Sequence, residues 1–208
     1  MTIIAGAGKT YLTSRVIDEI RDVLKSNPNH EGLAFFYCNR NEIERQEPLS
    51  VLRSFVRQLS TIAHDEDSMH KNLRQLHIQT RLKASELSMD ICKGLLLEFI
   101  NLYPKTTLIL DALDECDTHK RGVLIEIFDH FLNHASRPVK IFISSRPDGD
   151  IKERFKSRAN IEIQATDNQD DIATFVKSEI TKHRRWKKIS PGLQAEIVET
   201  LQERSQGM

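Results

Sequence analysis

TTLILDALDEC, Thr106–Cys116, is an almost unbroken apolar run that ends on an acid. A continuous run of this kind, without polar alternation, is how a strand reads when a parallel sheet is covered on both faces. The strand is predicted over Thr106–Leu113. Asp111 closes the apolar part, and a carboxylate there is costly to bury unless a cation or hydrogen-bond donors surround it. Asp114 and Glu115 follow at once, so the strand delivers several acids to one end.

On either side of this strand, helical periodicity alternates with short β-rich runs. Leu12, Val16, Ile20 and Leu24 recur every fourth position and predict a helix from Lys9 to about Lys25. LAFFYC (Leu33–Cys38) reads as a strand. Leu49, Leu52, Phe55, Val56 and Leu59 predict a helix opening at Pro48, whose missing N–H costs nothing in a first turn. Leu87, Ile91, Leu95 and Phe99 predict another, and Val123, Ile127 and Phe131 a further one. VKIFISSR (Val139–Arg146) and NIEIQAT (Asn160–Thr166) are the remaining strands. Parallel neighbours need crossover connections, so this order predicts an α/β fold, a parallel sheet with helices on both faces. After Thr166 only helices are expected: one capped by Asn168 and running through Ile172, Phe175, Val176 and Ile180, and one starting at Ser190 with Pro191 in its first turn. The expected division is a core over residues 1–166 and the start of a small helical domain over 167–208.

Composition limits what the motifs can mean. The chain has 208 residues, 39% hydrophobic and 29% charged, which suits one globular domain with a small appendage. Thirty basic residues balance thirty acidic ones, so there is no electrostatic footprint for nucleic acid. No apolar run approaches the roughly 20 residues that span a bilayer, and the N-terminus has no signal-peptide pattern. Cys38, Cys92 and Cys116 have no metal-like spacing and leave an odd thiol, which predicts a reducing, cytoplasmic setting.

AGAGKT (Ala5–Thr10) precedes the first predicted helix. Ala5, Gly6, Ala7 and Gly8 are small enough for backbone N–H groups to close around phosphate oxygens, Lys9 supplies a point charge and Thr10 a hydroxyl for Mg²⁺. With Tyr11 they make up the candidate nucleotide-binding stretch. A glycine turn before an ordinary helix is the plainer alternative, and the phosphate-loop pattern G-x-x-x-x-G-K-[ST] wants glycine where this chain has Ile3. The pairing of AGAGKT with LILDALDEC is what favours nucleotide chemistry. Asp111, with Thr10, would organise Mg²⁺, and Asp114 or Glu115 would position or deprotonate a water. ISSRP ends the next strand, where Arg146 can point at a γ-phosphate or simply precede a proline turn.

Duller accounts win elsewhere. His130 and His134 lie four apart on a helix without the glutamate of a zinc protease motif and read as solvated histidines. KHRRWKK (Lys182–Lys188) reads as a cationic helix end. Cys116 is expected to be a poor nucleophile because neighbouring carboxylates would raise its pKa.

AGAGKT, FFYCNRNEIERQEPLSVLRSFVRQL, LILDALDECD and IFISSRPDGDI together resemble the NACHT domain, in the nephrocystin-3-like branch often fused to ankyrin or other repeats. Ala112 directly after the metal acid, with Asp114 and Glu115 beyond, looks like the NACHT form of the Walker B motif. NQDDIATFVKSEI and EIVETLQERSQGM are similar to the helical segment that follows the NTPase core. The resemblance implies a P-loop NTPase sheet and slow, Mg²⁺-dependent hydrolysis of ATP or GTP that governs a signalling switch. It implies Lys9 and Thr10 on the phosphates, Asp111 on the metal, Asp114 and Glu115 on the water, and Arg146 on the γ-phosphate. Effector and repeat domains in a full-length protein, and assembly as a homo-oligomer, are the partners it implies.

Against that family the chain is expected to be truncated at both ends. Only Thr2–Ile4 precede Ala5, and by resemblance the strand leading into the loop is central, with LILDAL and FISSR as its neighbours facing each other across the gap it would leave. Two functional classes follow: a working NTPase module, or a degenerate fragment that binds nucleotide weakly and acts as an interaction piece.

Overall fold

The computed structural model describes residues 2–3, 8–27, 31–60, 87–163, 169–182 and 186–205. In chain order these form β1 (Thr2–Ile3), α1 (Lys9–Ser26), β2 (Gly32–Tyr37), α2 (Pro48–Ser60), α3 (Met89–Leu102), β3 (Thr106–Asp111), α4 (Thr118–His134), β4 (Val139–Ile143), α5 (Gly149–Phe155), β5 (Glu162–Ile163), α6 (Gln169–Lys182) and α7 (Pro191–Ser205). The architecture is mixed α/β. It divides into two units, Lys9–Ser145 on one side and Met1–Gly8 with Arg146–Met208 on the other.

The larger unit is built on a parallel sheet of order β2-β3-β4. All six residues of β3 are buried, as an apolar run between two partner strands should be. Register places Phe35 and Tyr37 beside Ile109 and Asp111, so these side chains share one face. That face meets α1: Thr13 donates to Asp111, Ser14 and Tyr37 share a hydroxyl contact at 3.3 Å, and the Arg21 guanidinium lies 4.8 Å from the Phe35 ring centre. The opposite face meets α3, where the Thr106 hydroxyl donates to the Ile100 carbonyl at 3.4 Å. Helices therefore cover both faces, as expected.

The core lies on the α3 side. Phe55, Phe99, Phe128 and Phe131 are fully buried, and the Phe55 and Phe128 rings stack at 6.3 Å. Each such side chain contributes about 2–3 kcal/mol relative to exposure. Gln58 of α2 donates its amide to the Phe35 carbonyl (2.8 Å) and accepts the Phe35 N–H (3.1 Å), satisfying backbone groups at the outer edge of β2. Helix starts are capped where the sequence supplies a side chain: Ser88 accepts the Ile91 N–H, and Asp117 accepts the Lys120 N–H at 2.9 Å.

Several sequence expectations need correction. LILDAL and FISSR do not face each other across a gap: Thr106–Leu110 pairs directly with Val139–Ile143 in parallel register, because a single helix with short connections joins the two strands and brings them side by side. β1 pairs instead with β5, Thr2 opposite Glu162 and Ile3 opposite Ile163. β3 stops at Asp111, short of Leu113, because Ala112 adopts the left-handed conformation (φ 57°) and Leu113–Glu115 turns into a 3-10 helix. β4 likewise ends at Ile143, before Arg146. In α1 the predicted stripe is only half-buried, while Thr13 and Ile17 are the buried residues. Two of the stripe residues, Val16 and Ile20, line an open groove of about 550 Å³ together with Val23 and Phe142.

In the smaller unit, α5 was not foreseen from the sequence. α6 and α7 are the two helices expected after Thr166, although the proposed cap Asn168 and residues 164–166 lie outside the described residues. The single tryptophan, Trp186, sits in a 3-10 turn ahead of α7, and the Gln194 amide donates to the carbonyls of Trp186 (2.9 Å) and Ile189 (3.0 Å). Among the described residues no helix is long and apolar enough to cross a membrane.

Candidate functional site

Lys9 and Thr10 open α1, so their side chains stand at a helix N-terminus, where backbone N–H groups have no partner within the helix. Gly8 precedes them at φ 74°, a conformation that costs an L side chain about 1–2 kcal/mol. Ala5, Gly6 and Ala7 lie outside the described residues. Tyr11 is largely exposed.

Asp111 is buried at the end of β3 and is held by hydroxyls. Its Oδ2 accepts from Thr10 Oγ1 at 2.8 Å, and its Oδ1 from Thr13 Oγ1 at 2.6 Å and from Ser144 Oγ. Thr10 and Thr13 are three apart on α1 and so present neighbouring hydroxyls to one carboxylate. Ser144 is fully buried and uses all its polar groups. Its N–H donates to Leu110 O, its carbonyl accepts from Leu113 N–H, and its Oγ accepts from Ala112 N–H, each at 3.0 Å. A residue just beyond β4 thus braces the left-handed step at Ala112 that carries Asp114 and Glu115.

Asp114 is buried and receives two cations. Lys9 Nζ donates to Oδ1 at 3.2 Å and the Arg40 guanidinium lies 3.9 Å from Oδ2. The Ser145 hydroxyl also donates to Asp114 Oδ1, at 3.4 Å. Glu115 accepts the Arg40 backbone N–H at 3.1 Å. Lys9, Thr10, Asp111, Asp114 and Glu115 are therefore brought together within one unit from segments about a hundred residues apart (|i−j| of 105 for Lys9 and Asp114). Arg146 belongs to the other unit, where its carbonyl accepts the Asp148 N–H at 2.9 Å.

Thr13, Ser144, Ser145 and Arg40 were not singled out from the sequence. Thr13 had a signal, the helical spacing from Thr10 on a segment already suspected. Ser144 and Arg40 had none, because both act across strand neighbours.

The Asp117 charge acts upward on the Cys116 pKa, as expected of a neighbouring carboxylate, but a second thiol acts against it. The Cys38 thiol hydrogen-bonds to Cys116, and this contact outweighs burial and the Asp117 charge, holding Cys116 below the ordinary thiol range while Cys38 is pushed above it. Both are buried and neither is in a disulfide. The His130 and His134 rings stack at 4.2 Å, and burial, then His134, lowers the His130 pKa. Among the described residues no three or more His, Cys, Asp or Glu side chains are grouped so as to hold a metal. Of the basic run Lys182–Lys188, residues 183–185 lie outside the described residues, and Lys182 pairs with Glu179 at 2.6 Å.

Thr10 Oγ1 and the Asp111 carboxylate are hard oxygen donors in contact with each other, which is the donor chemistry Mg²⁺ takes when phosphate and water complete its shell. The residues present fit such an ion. No curated protein matches the chain. The family model described as nephrocystin 3, N-terminal, matches residues 1–146, well over half of the chain, and the chain belongs to that family.

Proposed function

We propose that this nephrocystin 3 N-terminal chain binds a nucleoside triphosphate, ATP or GTP, with Mg²⁺ on a P-loop NTPase sheet of NACHT type, and hydrolyses it slowly as a signalling switch. The observation that carries this reading is the 2.8 Å hydrogen bond from Thr10, in the first turn of α1, to Asp111, at the end of β3. It unites the two motifs that were separately suggestive in the sequence. Lys9 is the phosphate cation, Thr10 and Asp111 the residues that would hold Mg²⁺, and Asp114 or Glu115 the acid that orients water. When bound, Mg²⁺ supplies charge neutralisation on the phosphate oxygens. Lys9 must move from Asp114 to phosphate, an exchange of one charge-assisted hydrogen bond for another.

A second reading, an interaction piece with weak nucleotide binding, is favoured by Ile3. The residue standing where the phosphate-loop pattern wants glycine is a strand residue in β1, paired with Ile163. Calorimetry with MgATP separates the two. Micromolar binding to the parent, lost to at least about tenfold in Lys9→Ala, supports the nucleotide site, since a charge-assisted bond to phosphate is worth about 1.5–3 kcal/mol. Parent and mutant with equal affinity, or no binding by either, leaves the interaction piece standing.

A further inference from the structure

We infer that Arg40 is a second phosphate-recognition residue of this site, reading the terminal phosphate that distinguishes a nucleoside triphosphate from a diphosphate. The inference rests on the nucleotide reading above and adds a residue to it, since the family resemblance implies a γ-phosphate role for Arg146 alone.

Arg40 follows β2, at the end of the sheet that carries Asp111: Tyr37 is in register with Asp111, and the Cys38 N–H donates to the Asp111 carbonyl at 3.0 Å. Strand C-termini of a parallel sheet are where such folds meet their ligands. The backbone of Arg40 is fixed on both sides. Its N–H donates to Glu115 Oε2 at 3.1 Å and its carbonyl accepts from Gln46 Nε2 at 2.8 Å. The flanking Asn39 accepts the Asn41 N–H (3.0 Å) and donates to Glu42 (2.8 Å), which closes the loop on itself.

The head of the side chain is held far less. The side chain is 56% exposed, and its guanidinium reaches Asp114 only at 3.9 Å, beyond good hydrogen-bond distance. Asp114 is thereby bracketed by two cations, Lys9 on Oδ1 and Arg40 on Oδ2. Two cations that meet on one carboxylate are spaced to meet on one phosphate, which offers more charge and more acceptor oxygens. A guanidinium fork suits that exchange better than an ammonium does. An anion that draws Lys9 off Asp114 brings its outermost phosphate into the reach of Arg40.

The test measures MgATP and MgADP affinities of the full chain by calorimetry for the parent, Arg40→Ala, Arg40→Lys and Lys9→Ala. The expected pattern is a parent that prefers MgATP, with Arg40→Ala losing about tenfold for MgATP and no more than about twofold for MgADP. Arg40→Lys regains part of the loss, and Lys9→Ala weakens both nucleotides. Arg40→Ala that leaves both affinities unchanged, or lowers both alike, overturns the Arg40 role while the nucleotide site stands. A parent without preference for MgATP does the same. A parent that binds neither nucleotide overturns the nucleotide reading itself, and this inference with it.

Discussion

Asp111 and Glu31 are both buried carboxylates on the same three-stranded sheet, one at the end of β3 and the other just before β2 begins. Glu31 has its cation supplied by the fold: Lys105 reaches Oε2 at 2.9 Å, and the Thr107 hydroxyl donates to Oε1. Asp111 is surrounded by hydroxyls, and among the described residues no ion pair reaches it. Hydroxyl donors stabilise a carboxylate without neutralising it. The negative charge is therefore paired with a cation at one end of the sheet and held by hydroxyls alone at the other, which is the difference that the metal role proposed for Asp111 requires.

The largest effect that separates them is on stability. Glu31→Gln leaves Lys105 beside a neutral amide, and a loss of about 2–3 kcal/mol is expected, near the lower range for a broken buried pair because Lys105 is one-third exposed. The loss should be the same with and without Mg²⁺. Asp111→Asn removes a buried charge together with its charge-assisted bonds, so it should change stability less than Glu31→Gln does in the absence of Mg²⁺, yet remove any Mg²⁺-dependent stabilisation by nucleotide. Thermal melts of both variants in EDTA and in MgATP decide the matter, and identical behaviour of the two would erase the contrast.

A smaller effect sharpens how Asp111 is presented. Ser144→Ala strips one donor from Asp111 and leaves the Ala112 N–H buried without its acceptor, for a loss of about 1–3 kcal/mol. Ser144→Thr keeps the hydroxyl and should recover part of that loss. Denaturant titration of the pair reads this directly, and a harmless Ser144→Ala would show that the turn needs no brace.

The two positive-φ residues at the site should respond in opposite ways. Gly8→Ala imposes a side chain on a φ of 74° and should cost about 1 kcal/mol, whereas Ala112→Gly relieves one at 57° and should gain up to about 1 kcal/mol. Chemical denaturation that moved both in the same direction would contradict the conformations described.

The smallest effect lies at the Asp117 cap. The Lys120 backbone N–H, and then its side chain, hold the Asp117 carboxyl below its ordinary value. A carboxyl lowered on folding stabilises above its unfolded pKa, and that contribution disappears as pH falls through the folded one. Parent and Asp117→Ala should accordingly differ in melting temperature at neutral pH and converge in acid below the usual carboxylate range; a gap that persists there would point to packing at Asp117 and not to its charge.

The sheet was legible because burial on both faces leaves a plain mark: TTLILD needed no context to be read as a strand. What the apolar pattern could not show was where the strand stops, since the left-handed step at Ala112 depends on Ser144, thirty-two positions away. Strand order was misread for a related reason, as pairing partners are chosen by crossover geometry and carry no local signature. α5 was missed because RPDGDIKERF opens with turn-forming residues and is too short to show a helical period. At the site, Lys9, Thr10, Asp111, Asp114 and Glu115 were marked by their motifs. Thr13, Ser144 and Arg40 were not, because a hydroxyl or a guanidinium acquires its role only from the carboxylate the fold sets beside it.

Trp186 gives the molecule a built-in optical label. It is the chain's single indole and belongs to the unit that begins at Arg146, while the sheet and its acids belong to the unit that ends at Ser145. Fluorescence excited at the red edge therefore follows one unit alone, and circular dichroism follows both. Coincident transitions by the two signals would mean a single cooperative block, and separated ones two blocks that melt in turn. Nucleotide added during such a scan would show, without any label being introduced, whether stabilisation of the sheet is transmitted to the helices beyond it.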